Sequence, residues 1–237
     1  MNFVKPEYEN LINSLIKDGY LKTPEIIEAF KAIDRLDFVP EEYKNEAYIN
    51  APLSIGFGQT ISQPLVVAFM LELLEPKAGE KILDIGAGSG WTLALLAQLV
   101  GENGRVIGIE RIPELKEMAE KNISKYNFID PVRNKPLQAA AAVLSAKRIS
   151  NGVEKKIVQV IAADGSKGYK KEAPYDKIIA GAAAETETPV HWKRQLKIGG
   201  RIVAPAGNSI IVIDKIGKNK YTQKEYFGFS FVPLIKD

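Results

Sequence analysis

The sequence predicts an α/β protein: a doubly wound, mainly parallel sheet of seven strands, with a helical N-terminal extension over residues 1–55 and an antiparallel C-terminal edge over 217–237. Three observations carry the prediction. From residue 81 onward, short β-branched runs (KILDIG, RVIGIE, KIVQVIAAD, YDKIIAGA and GRIVAPAG) run out at Gly, Asp, Glu or Pro. Helical stretches separate several of them, and strands alternating with helices build βαβ units. The strands are apolar almost throughout, as a sheet covered on both faces requires.

The elements follow in order. NLINSLIKDG places apolar residues at helical spacing, and Gly19 serves as its C-cap. Thr23-Pro24 reads as an N-cap with proline at the first helical position, leading into EIIEAFKAI. GFGQTISQP, residues 56–64, is a polar, turn-rich loop ahead of the apolar run LVVAFMLELL, with Ser62 as the N-cap and Pro64 in the first turn. WTLALLAQLV, PELKEMAEKNISKY and PVHWKRQLK read as helices among the strands. SIIVIDKIG, KNKY and EYFGFSFVPL read as two strands joined by a polar turn, an antiparallel hairpin at the sheet edge. The stretch from about 130 to 152 is too long for an ordinary connection and reads as an inserted surface helix over about 137–149. The whole, residues 1–237, reads as one domain.

Composition narrows the function. Lys plus Arg exceed Asp plus Glu by 32 − 29 = 3, too slight a bias to argue for nucleic acid or an anionic membrane. The chain has no cysteine, which excludes disulfides, thiolate chemistry and Cys-based metal sites. It has one histidine, His191, so a His-rich metal site is impossible; no metal is expected. No apolar run approaches the roughly 20 residues of a membrane span, and a charged N-terminus without an apolar signal core points to the cytoplasm.

The strongest motif is LDIGAGSGW, a strand-to-helix turn holding Asp84, Gly86, Gly88, Ser89 and Gly90. Its spacing is G-x-G-x-G, not the G-x-G-x-x-G of dinucleotide folds. Glycines let backbone approach a ligand closely, and the position is the crevice where open α/β sheets bind ligands. The second strand ends in Glu110, 20 residues beyond Gly90, where an acid can accept hydrogen bonds from both ribose hydroxyls. The third ends in Ala163-Asp164-Gly165. Three acids at the tips of adjacent strands disfavour a pyrophosphate. They suit a ligand with a ribose, an adenine amine and positive charge, which favours S-adenosylmethionine over a nicotinamide dinucleotide.

At this point the chain resembles the protein-L-isoaspartate (D-aspartate) O-methyltransferase family. GQTIS, LDIGAGSGW, VIGIERIPEL, ADGSKGY, APYDKII, QLKIGGRIVAPAG and FVPL run in family order over about residues 45–235. The resemblance implies a class I methyltransferase, Rossmann-like fold, S-adenosylmethionine as cofactor, and isoaspartyl-containing proteins and peptides as partners. It implies methyl transfer to the carboxylate exposed when Asn or Asp isomerises; the ester collapses to a succinimide, and the outcome is protein repair. It places Ser62 at the active site with Thr60 and Gln59 beside it. Gly86, Gly88 and Gly90 would admit the cofactor, with Ser89 and Gly165 in the same turns. Glu110 would hold the ribose, Asp164 the adenine amine, and Asp84 would lie near the methionine moiety.

The chemistry explains a loop that carries hydroxyls and no base. A carboxylate is already ionised at neutral pH, so catalysis is positioning and water exclusion. The sequence departs from the family at Leu65, where the loop usually carries histidine, at the alanine-rich AGAAAETETPV, and in the insert. AGAAAET also stands where amine methyltransferases carry an Asn/Asp-Pro-Pro-aromatic motif, which disfavours an amine acceptor. The alternatives are a divergent methyltransferase acting on another carboxylate or a small-molecule acceptor, and a non-catalytic cofactor-binding protein; the hydroxyl loop argues against the second. His191 is expected to be a structural or surface residue and not a base, Trp91 to lie in the core or against the cofactor, and Asp176 to cap or pair structurally.

Overall fold

The structure is a computed structural model, and it describes residues 4–126, 128 and 157–235. The expected insert over 130–152, with its helix, lies outside the described residues.

The N-terminal extension opens with α1 (Pro6–Lys17) and α2 (Pro24–Ala32). α1 buries Tyr8, Leu11, Ile12 and Leu15, the i, i+3, i+4, i+7 stripe that helical periodicity requires of a one-sided helix. It closes at Gly19 in a Schellman arrangement: Tyr20 N–H donates to Leu15 O and Gly19 N–H to Ile16 O. Thr23 occupies the N-cap of α2, but its hydroxyl donates to Glu72 instead of capping, and its N–H binds the same carboxylate. A 3₁₀ turn over Arg35–Phe38 follows, capped by Asp34, whose carboxylate accepts from Leu36 N–H.

The stretch read as a loop is a β-hairpin. β1 (Leu53–Gly56) pairs antiparallel with β2 (Gln59–Ile61) across Phe57-Gly58. Both turn residues have positive φ, +55° and +69°, the type I′ geometry whose twist matches paired strands. A phenylalanine at the first turn position masks this hairpin in the sequence. α3 (Pro64–Leu74) has its N-cap at Gln63, one residue later than expected, which leaves the Ser62 hydroxyl free of any capping duty.

The main sheet contains β3 (Lys81–Ile85), β4 (Arg105–Glu110), β5 (Val158–Ala162), β6 (Tyr175–Ala180), β7 (Leu196–Ala206), β8 (Ser209–Gly217) and β9 (Lys220–Phe227). Its order is β5-β4-β3-β6-β7-β8-β9; the first five are parallel and the last two run antiparallel to their neighbours. α4 (Trp91–Val100), α5 (Pro113–Ile123) and α6 (Val190–Gln195) connect the parallel strands. Several boundaries differ from the sequence reading: α5 stops at Ile123, short of Tyr126, and β9 begins at Lys220, inside the KNKY read as a turn. α6 stops at Gln195 because Leu196 pairs with Tyr175 and starts β7. β9 stops at Phe227, and the segment that follows leaves the sheet to pair with Ala183 through Val232 and Leu234.

Alternate strand residues enter two cores. Ile82, Val106, Ile179, Val203 and Val212 join the cluster under the N-terminal helices, α3, α4 and α5. Leu83, Ile107, Ile178, Ile202 and Ile213 join the opposite one, around Trp192 and Tyr175. The near-continuous apolar strands are thus two interleaved period-2 patterns. The N-terminal extension belongs to the first cluster: Phe30 meets Trp91 edge to face, ring centroids 5.6 Å apart.

Gly90 N-caps α4 with φ +90°, and a Cβ there would lie 3.1 Å from both Cα and O of Ala119 on α5. We expect Gly90→Ala to cost roughly 1–3 kcal/mol, from left-handed strain plus crowding. Denaturant unfolding of the two proteins checks this; an unchanged midpoint would refute the packing role.

Candidate active site

The strand order reverses between β3 and β6, and the carboxyl ends of those strands open a cleft whose empty space, its solvent-open mouth included, is about 710 Å³. Its lining includes Gly86, Gly88 and Ser89 from the turn after β3, Glu110 from β4, Ile179 and Ala180 from β6 with Gly181 and Ala182 just beyond it, Gln59 and Thr60 from the hairpin, and Ser62 immediately after it. Trp91 and Asp84 also border it. Two further hollows meet it. One, of about 460 Å³, shares Gln59, Gly86, Glu110 and Ala182 with the cleft and adds Ile112 and Gly165. The other is an open groove that shares Thr60, Ser62, Gly181 and Val232 and adds Pro52, Gln63, Val66, Ser230 and Phe231.

Backbone hydrogen bonds hold the glycine turn. Gly86 N–H and Ala87 N–H both donate to Ile109 O, at 2.8 and 3.0 Å. Glu110 completes this: one carboxylate oxygen accepts Gly88 N–H at 2.9 Å and the other accepts Ile112 N–H at 3.0 Å. The residue expected to take ribose hydroxyls is therefore also the clasp between the turns after β3 and β4. Each oxygen retains a second acceptor position for a ligand.

Asp84 is 2% exposed, and its Oδ2 finds no hydrogen-bond partner among the described residues. Burial pushes its carboxyl up to about 8, and the charge of Glu110 adds to the effect. A buried acid with an unsatisfied oxygen at a ligand-sized cleft fits a ligand that brings a cationic donor. The positive ammonium and sulfonium of S-adenosylmethionine answer that description; a pyrophosphate does not.

The remaining sequence-predicted residues divide. Ser62 is half-buried where cleft and groove meet, and Thr60 is exposed beside it. Gly90 does not border the cleft; it is buried against α5. Asp164 borders neither cleft nor hollow. Its two oxygens accept from Ser166 N–H and Ser166 Oγ, at 2.8 and 2.9 Å, with Lys167 Nζ at 3.1 Å. Burial works against its charge, but these donors outweigh it and hold the carboxyl below its ordinary range. Gly165 lines the smaller hollow, where a Cβ would meet Ile85 Cγ2 at 2.5 Å. Leu65 packs partly buried against the core and lines neither cleft nor groove. His191 is exposed, and Asp176 accepts from Lys81 N–H and Lys197 Nζ.

Sequence reasoning missed two contributors. Val232 reaches the cleft because Ala183 N–H donates to Val232 O at 2.8 Å and Leu234 N–H to Ala183 O at 2.7 Å. Nothing in FVPL announces that fold-back. Arg35, fully buried, donates to the Ser62 carbonyl at 3.2 Å; an arginine in a polar N-terminal stretch carries no signal of burial.

A doubly wound sheet with a glycine turn after β3, an acid clasp after β4 and a cleft at the switch point defines the chain as an S-adenosylmethionine-dependent methyltransferase with a Rossmann-like fold. Relatives sharpen this. A protein-L-isoaspartate O-methyltransferase of Methanopyrus kandleri is 38% identical over 231 residues, 96% of this chain and 90% of its own. Protein-L-isoaspartate O-methyltransferase 2 of Archaeoglobus fulgidus is 43% identical over 212 residues, 88% of this chain and 84% of its own. The fold matches a Plasmodium falciparum protein described as a protein-L-isoaspartate O-methyltransferase, in complex with S-adenosyl-L-homocysteine. Its TM-score is 0.77 at 22% identity, covering 98% of this chain and all of the other. The model of the protein-L-isoaspartate(D-aspartate) O-methyltransferase family matches residues 6–237, and the chain belongs to that family.

The Asp84 carboxyl has a pH consequence. Its folded pKa lies above the unfolded value of 3.8, so between pH 4 and about 8 the ligand-free folded state binds the extra proton. That contribution to stability is present at low pH and is lost as pH rises. Asp84→Asn, which resembles the protonated form, should gain stability over the parent as pH climbs from 5 to 8 without ligand. Melting temperatures of both proteins across that range test it; a difference that does not vary with pH would sink the assignment.

Proposed function

We propose that the cleft transfers the methyl group of S-adenosylmethionine to the side-chain carboxylate of L-isoaspartyl residues in damaged proteins, the step that starts their repair. The observation that carries the reading is the junction at Ser62 and Thr60. They border the cleft at the strand ends on one side and the neighbouring surface groove on the other, in a site without a histidine base. A protein acceptor needs an open groove, and a carboxylate acceptor needs no base.

The roles of the chain's residues follow. Asp84, charged when opposed by a cation, faces the amino-acid end of the cofactor. Glu110, between the cleft and the smaller hollow, accepts from the ribose while its amide contacts keep both turns in place. Gly165 and Ile112 bound the adjoining hollow, where they would hold the adenine. We assign Asp164 to the adenine amine only through the turn it stabilises with Ser166, since it borders neither the cleft nor the smaller hollow. When bound, the cofactor supplies an electrophilic methyl on a positively charged sulfur. The Ser62 hydroxyl, with Thr60 beside it, donates to one acceptor oxygen and leaves the other aimed into the cleft. Val67, Met70 and Ile179 line the cleft with hydrocarbon and keep water from competing.

Three measurements test this. Label from S-adenosylmethionine should pass to a short isoaspartyl peptide and be lost in mild base, whereas the normal aspartyl peptide stays unlabelled; equal labelling of both would overturn the acceptor. Ser62→Ala should keep cofactor affinity and lower turnover roughly tenfold, the worth of one orienting hydrogen bond. Glu110→Ala should weaken cofactor binding by roughly 1–3 kcal/mol, and a wild-type affinity by calorimetry would refute the ribose role.

A further inference from the structure

Arg35 is fully buried, yet no acid answers it. Among the described residues it makes no ion pair; its partners are carbonyl oxygens. Nη1 donates to Ala47 O at 2.6 Å and to Ile49 O at 3.3 Å. Nη2 donates to Ala51 O at 2.9 Å and to Ser62 O at 3.2 Å. The guanidinium also sits over the indole of Trp91, 5.4 Å from the ring centroid. Burying a charge without a counter-charge is costly, and chains keep one where its geometry is needed.

The partners say what the geometry does. The hairpin of β1 and β2 spans residues 53–61. Ala51 lies just before it and Ser62 immediately after it, so one planar fork grips both roots. The tip is free: Phe57 is 58% exposed. The indole beneath the guanidinium begins α4 and lines the cleft. Arg35 thus sets the hairpin's two ends against one another and against the cleft wall. Lysine cannot replace it, because an ammonium lacks the flat fork that reaches carbonyls on both sides while stacking on an aromatic face.

We infer that Arg35 is a positioning residue for methyl transfer: by holding the Ser62 carbonyl it fixes where the Ser62 hydroxyl meets the acceptor, without touching substrate or cofactor. The inference rests on the role proposed above for Ser62.

A double-mutant cycle on the full chain separates the two. Arg35→Lys should lower kcat on an isoaspartyl peptide tenfold or more per cofactor-binding site, with cofactor Kd and peptide KM within about twofold of the parent. The pair Arg35→Lys/Ser62→Ala should be no more than about twofold slower than Ser62→Ala alone, because both changes remove the same orienting contact. A merely structural role predicts a lower Tm with unchanged kcat in the folded, cofactor-binding fraction, which overturns the inference. So do rate losses that multiply in the double mutant. Ser62→Ala slowed while Arg35→Lys is not overturns the inference alone; Ser62→Ala at the parent rate overturns the Ser62 role and this inference with it. If Arg35→Lys does not fold, Arg35→Gln, closer to neutral packing and still a donor, is read through the same cycle against the same limits.

Discussion

The parallel registration of β3 between β4 and β6 is the constraint on which the cleft depends. Ile85 stands level with Ile109 on one side and Ala180 on the other. The hydrogen-bond ladder then continues one step beyond the strands: Gly86 and Ala87 donate to Ile109, and Gly181 donates to Ile85 at 2.8 Å. A turn that would otherwise be loose glycine backbone is therefore built to the tolerance of the sheet. Both faces of that sheet are covered by apolar layers. Over the parallel strands β3 to β5 the acids gather at the carboxyl ends, where strand order reverses and leaves room.

The three acids at those ends are not equivalent. Asp84 points into the cleft with an oxygen unsatisfied and is held toward its neutral form by burial. Glu110 spends half its acceptor capacity on two backbone amides. Asp164 turns onto Ser166 and Lys167 and organises its own turn. Similar side chains on adjacent strands thus acquire different work from the donors beside them. Only Asp84 lacks protein donors at the cleft, so only there is an acid left with nothing to replace the hydrogen bonds that water supplied to the unfolded chain.

The N-terminal extension belongs to the site as well as to the core. Its helices complete the apolar layer over α4, and its 3₁₀ turn delivers Arg35 beneath the hairpin roots. At the other end of the chain, the segment after β9 folds back along Ala183 and places Val232 in the wall. Groove and cleft are consequently walled by the hairpin, α3 and the C-terminal segment, and the sheet supplies the floor. That division suits a site with a small enclosed cofactor and a large, variable acceptor.

The alternation of β-branched runs with helices decided the layered fold, because each strand and helix carries its periodicity within a few residues. LDIGAGSGW and the acid at Glu110 likewise declared the cleft, since a glycine turn and a strand-end acid are local features with one common place in such a sheet. What stayed hidden depends on contacts that no local pattern announces, most of them with partners distant in the chain. Phe57 adopts positive φ because the hairpin around it is anchored elsewhere, and Ser62 is released from capping because Gln63 takes the helix start. Gly90 answers to Ala119, Asp164 to the fold of its own turn against Lys167, and Arg35 to carbonyls up to 27 residues away. Local sequence sets which conformations are cheap. Long-range burial and hydrogen bonding select which side chains reach the ligand, and those terms exist only once the sheet has brought the strands together.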